Sequence, residues 1–275
     1  MGGLPTVVGR YLSLLDAELP GVVEAVYITG SPTTGELQLQ PRDIDFVAVT
    51  EHALGERERA HLAALHDRLQ RAHPSPPLEG VYATWDELGS PLDELPALPT
   101  LIVGQRGLQT VPTNPVTWLN LKLCDLRLRG RGPRSLPISD DLADLRDWSL
   151  SQLTGYWSAW LRDAHRPTRI AASTLRTVGV VWSVTGAARA LYTLATGELG
   201  SRTDAMTFVR ERVDGRAQQV IDEALRLRAG APDGLYANRR ARRADVLRFV
   251  SLAIRTADGW AALAEQPPAD PRRMW

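Results

Sequence analysis

Val26-Tyr27-Ile28-Thr29-Gly30-Ser31 and, twelve residues after that serine, Asp43-Ile44-Asp45-Phe46-Val47-Ala48-Val49 decide how this chain is read. An apolar run stops at a Gly-Ser step, a polar loop follows, and a second apolar run opens with two aspartates at alternate positions. In a β-strand alternate side chains share a face, so Asp43 and Asp45 point the same way, roughly 6.5–7 Å apart along the strand.

Two carboxylates at that spacing can share Mg²⁺, a hard cation that takes its remaining oxygens from water and substrate phosphates. The Gly30-Ser31 turn offers backbone N–H groups and a hydroxyl to the same phosphates. The expectation is a nucleotidyl-transfer site. Each half of the pattern is common alone, since Gly-Ser after a strand is ordinary turn chemistry. In this order the pair resembles the nucleotidyltransferase superfamily that includes DNA polymerase beta. Its signature is Gly-Ser, about a dozen residues, and Asp-x-Asp on the next strand. Pro32 after the serine is a small departure.

At 275 residues the chain has room for two domains. Its 44 % hydrophobic and 23 % charged residues are those of a globular protein, and its formal net charge is zero. That balance argues against a domain devoted to holding a nucleic-acid backbone, so no nucleic-acid partner is expected. Lys122 is the only lysine, leaving arginine as nearly all of the positive charge. Cys124 is the only cysteine; it excludes an intrachain disulfide and reads as a buried thiol. Met1-Gly2-Gly3-Leu4-Pro5 lacks the pattern of a signal peptide, and no apolar run looks long enough to cross a membrane. A cytoplasmic monomer is the expectation.

Apolar spacing predicts a helix over 4–19, strands over 22–29 and 42–50, a helix over 56–72 and a strand over 78–84. Strand, helix and strand in that order favour a mixed α/β sheet. Residues 85–115 are broken by prolines, with a short strand near Thr100-Leu101-Ile102-Val103. Asn114-Pro115 opens a helix, and from about 139 onward the chain reads as helix with short breaks: 142–162, 174–195, 201–213, 216–229 and 240–263. The aromatic cluster Trp148, Tyr156, Trp157 and Trp160 reads first as core, although some of its rings could line a substrate cleft. The expected architecture is α+β: a catalytic domain of mixed sheet and flanking helices over 1–113, then an all-helical bundle over 114–275.

Glu79 stands near the start of the third strand, where it can come alongside the aspartates; on spacing alone it reads more readily as a solvated strand-end carboxylate. Leu78-Glu79-Gly80-Val81 is similar to a segment of the aminoglycoside nucleotidyltransferases that adenylylate streptomycin and spectinomycin, with Gly80 a departure. A second stretch, Arg189 to Ala205 with its Tyr192-x-x-x-Thr196-Gly197-Glu198 turn, resembles the helical domain of the same family. The resemblance implies that Glu79 is general base and metal-site carboxylate beside Asp43 and Asp45, with two Mg²⁺ ions and ATP as co-substrate. It implies that Gly30 and Ser31 hold the β- and γ-phosphates, and that Arg202, where the family has a lysine, reaches the triphosphate. Arg202 reads as readily as a surface arginine at a helix start. The implied acceptor is a small hydroxylated, cationic molecule of aminoglycoside type. Family members meet it with an acidic residue near the position of Gly179; aspartates 140, 141, 144, 147 and 163 could offer an acidic wall instead, although they read more readily as solvated helix faces and caps. The same transfer to a natural-product intermediate or a protein side chain, and a non-catalytic nucleotide-binding protein, are the competing readings.

Overall fold

Alternation of β-branched and small residues turns the first half of the chain into a sheet, and 3.6-residue periodicity turns the second into helices. The computed structural model describes residues 6–29, 43–91, 94–122, 126–132, 136, 138, 143–231 and 234–263. Two compact units result, Met1–Asp140 and Asp141–Trp275. The architecture is the expected α+β class.

In the first unit, α1 (Thr6–Glu18) leads into β1 (Val23–Thr29), β2 (Ile44–Thr50), α2 (Glu56–Ala72), β3 (Leu78–Thr84), α3 (Trp85–Gly89), β4 (Leu98–Leu101), β5 (Leu108–Val111), α4 (Pro115–Lys122) and β6 (Leu126–Arg129). The sheet order is β5-β4-β3-β2-β1-β6. Only β2 and β3 pair in parallel, because α2 carries the chain back between them; the other neighbours are antiparallel. The expected boundary after residue 113 falls inside this unit. Leu126-Arg127-Leu128-Arg129 pairs with β1, so the segment after Pro115 folds with the sheet.

Each face of the sheet has its own core. On one, Ile28, Ile44, Phe46, Leu78 and Tyr82 pack against Val8, Tyr11 and Leu15 of α1 and Leu62, Leu65 and Leu69 of α2. On the other, Ala25, Tyr27, Val47, Val49, Val81 and Ala83 pack against Leu88 of α3 and Trp118 and Leu121 of α4. The first core contains a polar chain: Tyr82 Oη lies 2.6 Å from His66 Nε2 and 2.7 Å from Tyr11 Oη. Burial pushes the His66 imidazole down to about 3, so it stays neutral and the three groups satisfy one another. Phe46 sits among them, its ring 5.4 Å from Tyr11, 5.9 Å from His66 and 5.6 Å from Tyr82.

The second unit contains α5 (Ala143–Ser151), which runs through a π-helical turn (Gln152–Trp157) into α6 (Ser158–Ala164). After them come α7 (Arg169–Ser173), α8 (Thr177–Thr196), α9 (Arg202–Arg210), α10 (Gly215–Arg228) and α11 (Arg239–Leu263). Its core gathers Leu153, Trp157 and Trp160 with one side each of α8, α9, α10 and α11. Within it Glu223, 1 % exposed, accepts from Arg226 and Arg242 and from the Leu235 N–H. Contrary to the sequence expectation, α8 is long and apolar enough to cross a membrane by length and composition. Its apolar residues are spent on the core, with 72 % of the stretch buried.

Gly80 is where the sheet tolerates no side chain. A Cβ there would lie 2.3 Å from the Phe46 carbonyl oxygen and 2.5 Å from Phe46 Cδ1. Gly80→Ala must therefore move Phe46 off its aromatic neighbours. The expected cost is about 3 kcal/mol, the upper part of the range for overpacked cores, read as a lower urea midpoint at unchanged slope. An unchanged midpoint contradicts the packing described.

Candidate functional site

Asp43 immediately precedes β2, Asp45 is its second residue and Glu79 is the second residue of β3. The parallel register sets Asp45 directly beside Glu79, and the antiparallel register sets Thr29 beside Asp45 on the other flank. Neighbouring strands are about 4.8 Å apart, so Thr29, Asp45 and Glu79 form one row across three strands. Alternation puts this row on the face that carries Val47, Val49, Val81 and Ala83, the face covered by α3 and α4. Asp43 lies one alternation further out on the same side. All three carboxylate residues are half-buried, and Thr29 is buried.

Glu79 is held from its far side as well. The Val103 N–H, just past β4, donates to Glu79 Oε2 at 3.0 Å. Burial pushes the Glu79 carboxyl up; the Val103 bond pulls it back, and the negative charge of Asp43 pushes it up again. The charge of Asp43 thus reaches Glu79. Neither Thr29 nor the Val103 N–H was singled out from the sequence. Thr29 was hidden as a strand end beside the Gly-Ser step, and a backbone donor leaves no trace in residue type.

Among the described residues no three acidic, imidazole or thiol groups converge as a ready-made metal cage. The set fits Mg²⁺ as an open site, since that ion is usually held by one or two carboxylates and completes its shell with water and phosphate oxygens. The negative charge of Asp43, which raises the cost of ionising Glu79, is what a cation relieves.

Gly30 and Ser31 lie outside the described residues, as do Asp140, Asp141 and Cys124. Arg202 belongs to the second unit. It is the first residue of α9, half-buried, behind a Ser201 cap that accepts from the Asp204 N–H at 3.0 Å. A cation in a helix's first turn gains nothing from the helix dipole, so its place is not explained by helix stability. The Thr196-Gly197 turn is accounted for locally: Gly197 caps α8 at φ 77° and its N–H bonds the Thr193 carbonyl.

At Gly179 a Cβ would stand 2.1 Å from the Ser173 carbonyl oxygen, so no acidic side chain fits that backbone. Of the alternative acidic wall, Asp163 faces Arg166 at 3.8 Å on the surface, and Asp147 is exposed. Residues read as core partly open to solvent instead. Tyr156 is 47 % exposed, and its ring meets that of Trp182, equally exposed, at 6.2 Å and 74°. The two rings form an aromatic ledge able to stack on a flat group or receive a cation. Tyr156 is carried by the π-helical turn, whose extra residue per turn no sequence periodicity announces.

No protein-family model matches the chain, and no curated protein matches it by sequence. Among solved structures it is similar to spectinomycin adenyltransferase AAD(9) from Enterococcus faecialis, crystallised with ATP and spectinomycin. The TM-score is 0.65 at 14 % identity, over 92 % of this chain and 100 % of that one. The likeness is one of fold, spanning both units.

The raised Glu79 carboxyl has a consequence for stability without metal. The fold prefers Glu79 protonated. Its contribution is fully present below the unfolded-state pKa and is lost as pH rises through the higher folded-state value. Glu79→Gln keeps an acceptor for the Val103 N–H but carries no charge. In EDTA-containing buffer it should melt above the wild type at neutral pH, with the gain fading toward pH 4. A gain independent of pH, or a loss at neutral pH, contradicts the account.

Proposed function

We propose that this protein is a nucleotidyltransferase that moves AMP from ATP to a hydroxyl of a small polar acceptor. The observation that carries the reading is the register of β2 on β3, which lines up Asp45 with Glu79 and brings Asp43 to the same side. The fold shared with an adenyltransferase crystallised with ATP supports it.

In this reading Glu79 takes the proton of the acceptor hydroxyl as its oxygen forms a bond to the α-phosphorus. The bond from that phosphorus to the bridging oxygen of the β-phosphate breaks, and pyrophosphate leaves. The Val103 N–H fixes the oxygen that does not take the proton. Asp43 and Asp45, with Glu79 alongside, are the residues that would hold Mg²⁺. Bound there, the ion neutralises charge on the triphosphate. Gly30 and Ser31 hold the β- and γ-phosphates.

The solved relative was crystallised with spectinomycin, and an aminoglycoside-type antibiotic is the first acceptor to try. A second reading, a natural-product intermediate of lower positive charge, is favoured by Gly179, which leaves no room for the acidic contact a cationic drug needs.

The test is pyrophosphate release from ATP and Mg²⁺ across spectinomycin, streptomycin, lincosamides and uncharged polyols. Asp45→Asn should abolish turnover with little change in melting temperature, and Glu79→Gln should lower it by roughly 10²–10⁴. Full activity in either variant removes that residue from its role. Turnover of uncharged polyols alone selects the second reading.

A further inference from the structure

The zero net charge is a sum of two unequal halves. Residues 1–140 carry twelve lysines and arginines against seventeen carboxylates, net −5; residues 141–275 carry twenty arginines against fifteen carboxylates, net +5. The excess in the second unit is concentrated. A groove of about 620 Å³ is lined by Arg216 of α10 and by Arg243, Arg248 and Arg255 of α11, and no acidic residue lines it among the described residues. Its floor is apolar, with Leu247 and Leu252 between the arginines.

The guanidinium groups are held in place. Asp245, whose side chain is fully buried, accepts from Arg248 at 2.6 Å and from Arg216 at 3.4 Å. Arg243 donates to Thr174 Oγ1 at 2.9 Å and to the Ala164 carbonyl, both uncharged. Arg255 donates to Ser251 Oγ at 2.7 Å. One carboxylate against four arginines leaves three positive charges in excess. Arg216 and Arg248 still present about two thirds of their side chains to solvent, 67 % and 63 %. Each guanidinium has five donors in a planar fork, so most remain available. A buried carboxylate beneath two arginines, with their heads left in solvent, pre-organises donors for an outside anion.

We propose that this groove binds a small phosphorylated molecule carrying two or three phosphate groups. Compact multivalent charge is what several converging guanidiniums neutralise together, whereas a single carboxylate engages one fork. The volume is that of a small-molecule site. Asp245 is a positioning residue that aims Arg216 and Arg248. The groove is built within the second unit alone, and the proposal stands whether or not the chain transfers nucleotides.

Calorimetric titration of the full chain with inorganic tripolyphosphate, in EDTA so that no metal-dependent site contributes, tests it. One molecule should bind per chain, and Arg248→Gln with Arg255→Gln should weaken binding at least ten-fold; glutamine at 248 keeps a donor for Asp245. Arg57→Gln with Arg71→Gln removes the same charge from exposed positions of the first unit and should leave binding within two-fold, as should Asp45→Asn. Melting temperatures verify that each variant is folded, and Arg255→Gln alone, expected to lose about three-fold, is the milder version. Absence of binding, equal weakening by the Arg57 and Arg71 pair, or no weakening by the groove pair overturns the proposal. So does binding of an acidic peptide or duplex oligonucleotide ten-fold tighter than tripolyphosphate.

Discussion

The parallel pairing of β2 with β3 is the constraint on which the rest of the first unit depends. It is the one parallel contact in the sheet, and its register decides which residues share a row. A slip of one residue would reverse every side chain of one strand relative to the other, placing Glu79 in the core beside Phe46. The cost of burying that carboxylate and of taking Leu78 and Tyr82 away from their partners on α1 and α2 keeps the register. Gly80 enforces it from the opposite face, because only a residue without Cβ passes beneath the Phe46 ring. The chemistry on one side of the sheet is thus secured by the packing on the other. The neutral His66, Tyr82 and Tyr11 chain makes that packing specific as well as apolar.

Electrostatics divides the two units. The first gathers carboxylates where strands begin, and burial with like charge raises the protonation range of one of them. The second gathers arginines and positions several with buried acids: Glu223 under Arg226 and Arg242, Asp245 under Arg216 and Arg248. In the first pair of contacts the arginines are largely buried and the arrangement is structural; in the second their heads remain in solvent. The same motif of acid beneath arginine serves stability in one place and presentation in the other, and exposure separates the two.

Much of this was legible in residue order. The helix–strand–strand–helix–strand succession over residues 4–84 follows from local periodicity, and the observed elements match it closely because each has an amphipathic or buried pattern of adequate length. Short elements were not: β5 and β6 have four residues each, too few for periodicity to outweigh neighbouring turns, although Leu126-Arg127-Leu128-Arg129 alternates cleanly. Missing β6 moved the expected domain boundary, since that strand gains its stability from β1, more than ninety residues earlier. The helix expected over 174–195 matches α8, but its overall apolarity escaped notice because Thr, Ser and Gly punctuate it, and the exposure of Tyr156 was not legible because helical spacing identifies a shared face but not what covers it.

The sequence by itself determined the identity and spacing of the carboxylates: Asp43 and Asp45 on one side of a strand, and a glutamate near the start of the next. Those are properties of local geometry, repeated every two residues whatever the rest of the chain does. Only the tertiary structure decided that Asp45 and Glu79 are neighbours, that Val103 holds Glu79, that no acid fits at Gly179, and that arginines from α10 and α11 share a groove. Each joins residues distant in sequence, and such contacts exist only once hydrophobic burial on both faces of the sheet and inside the helical unit has offset the entropy of bringing them together.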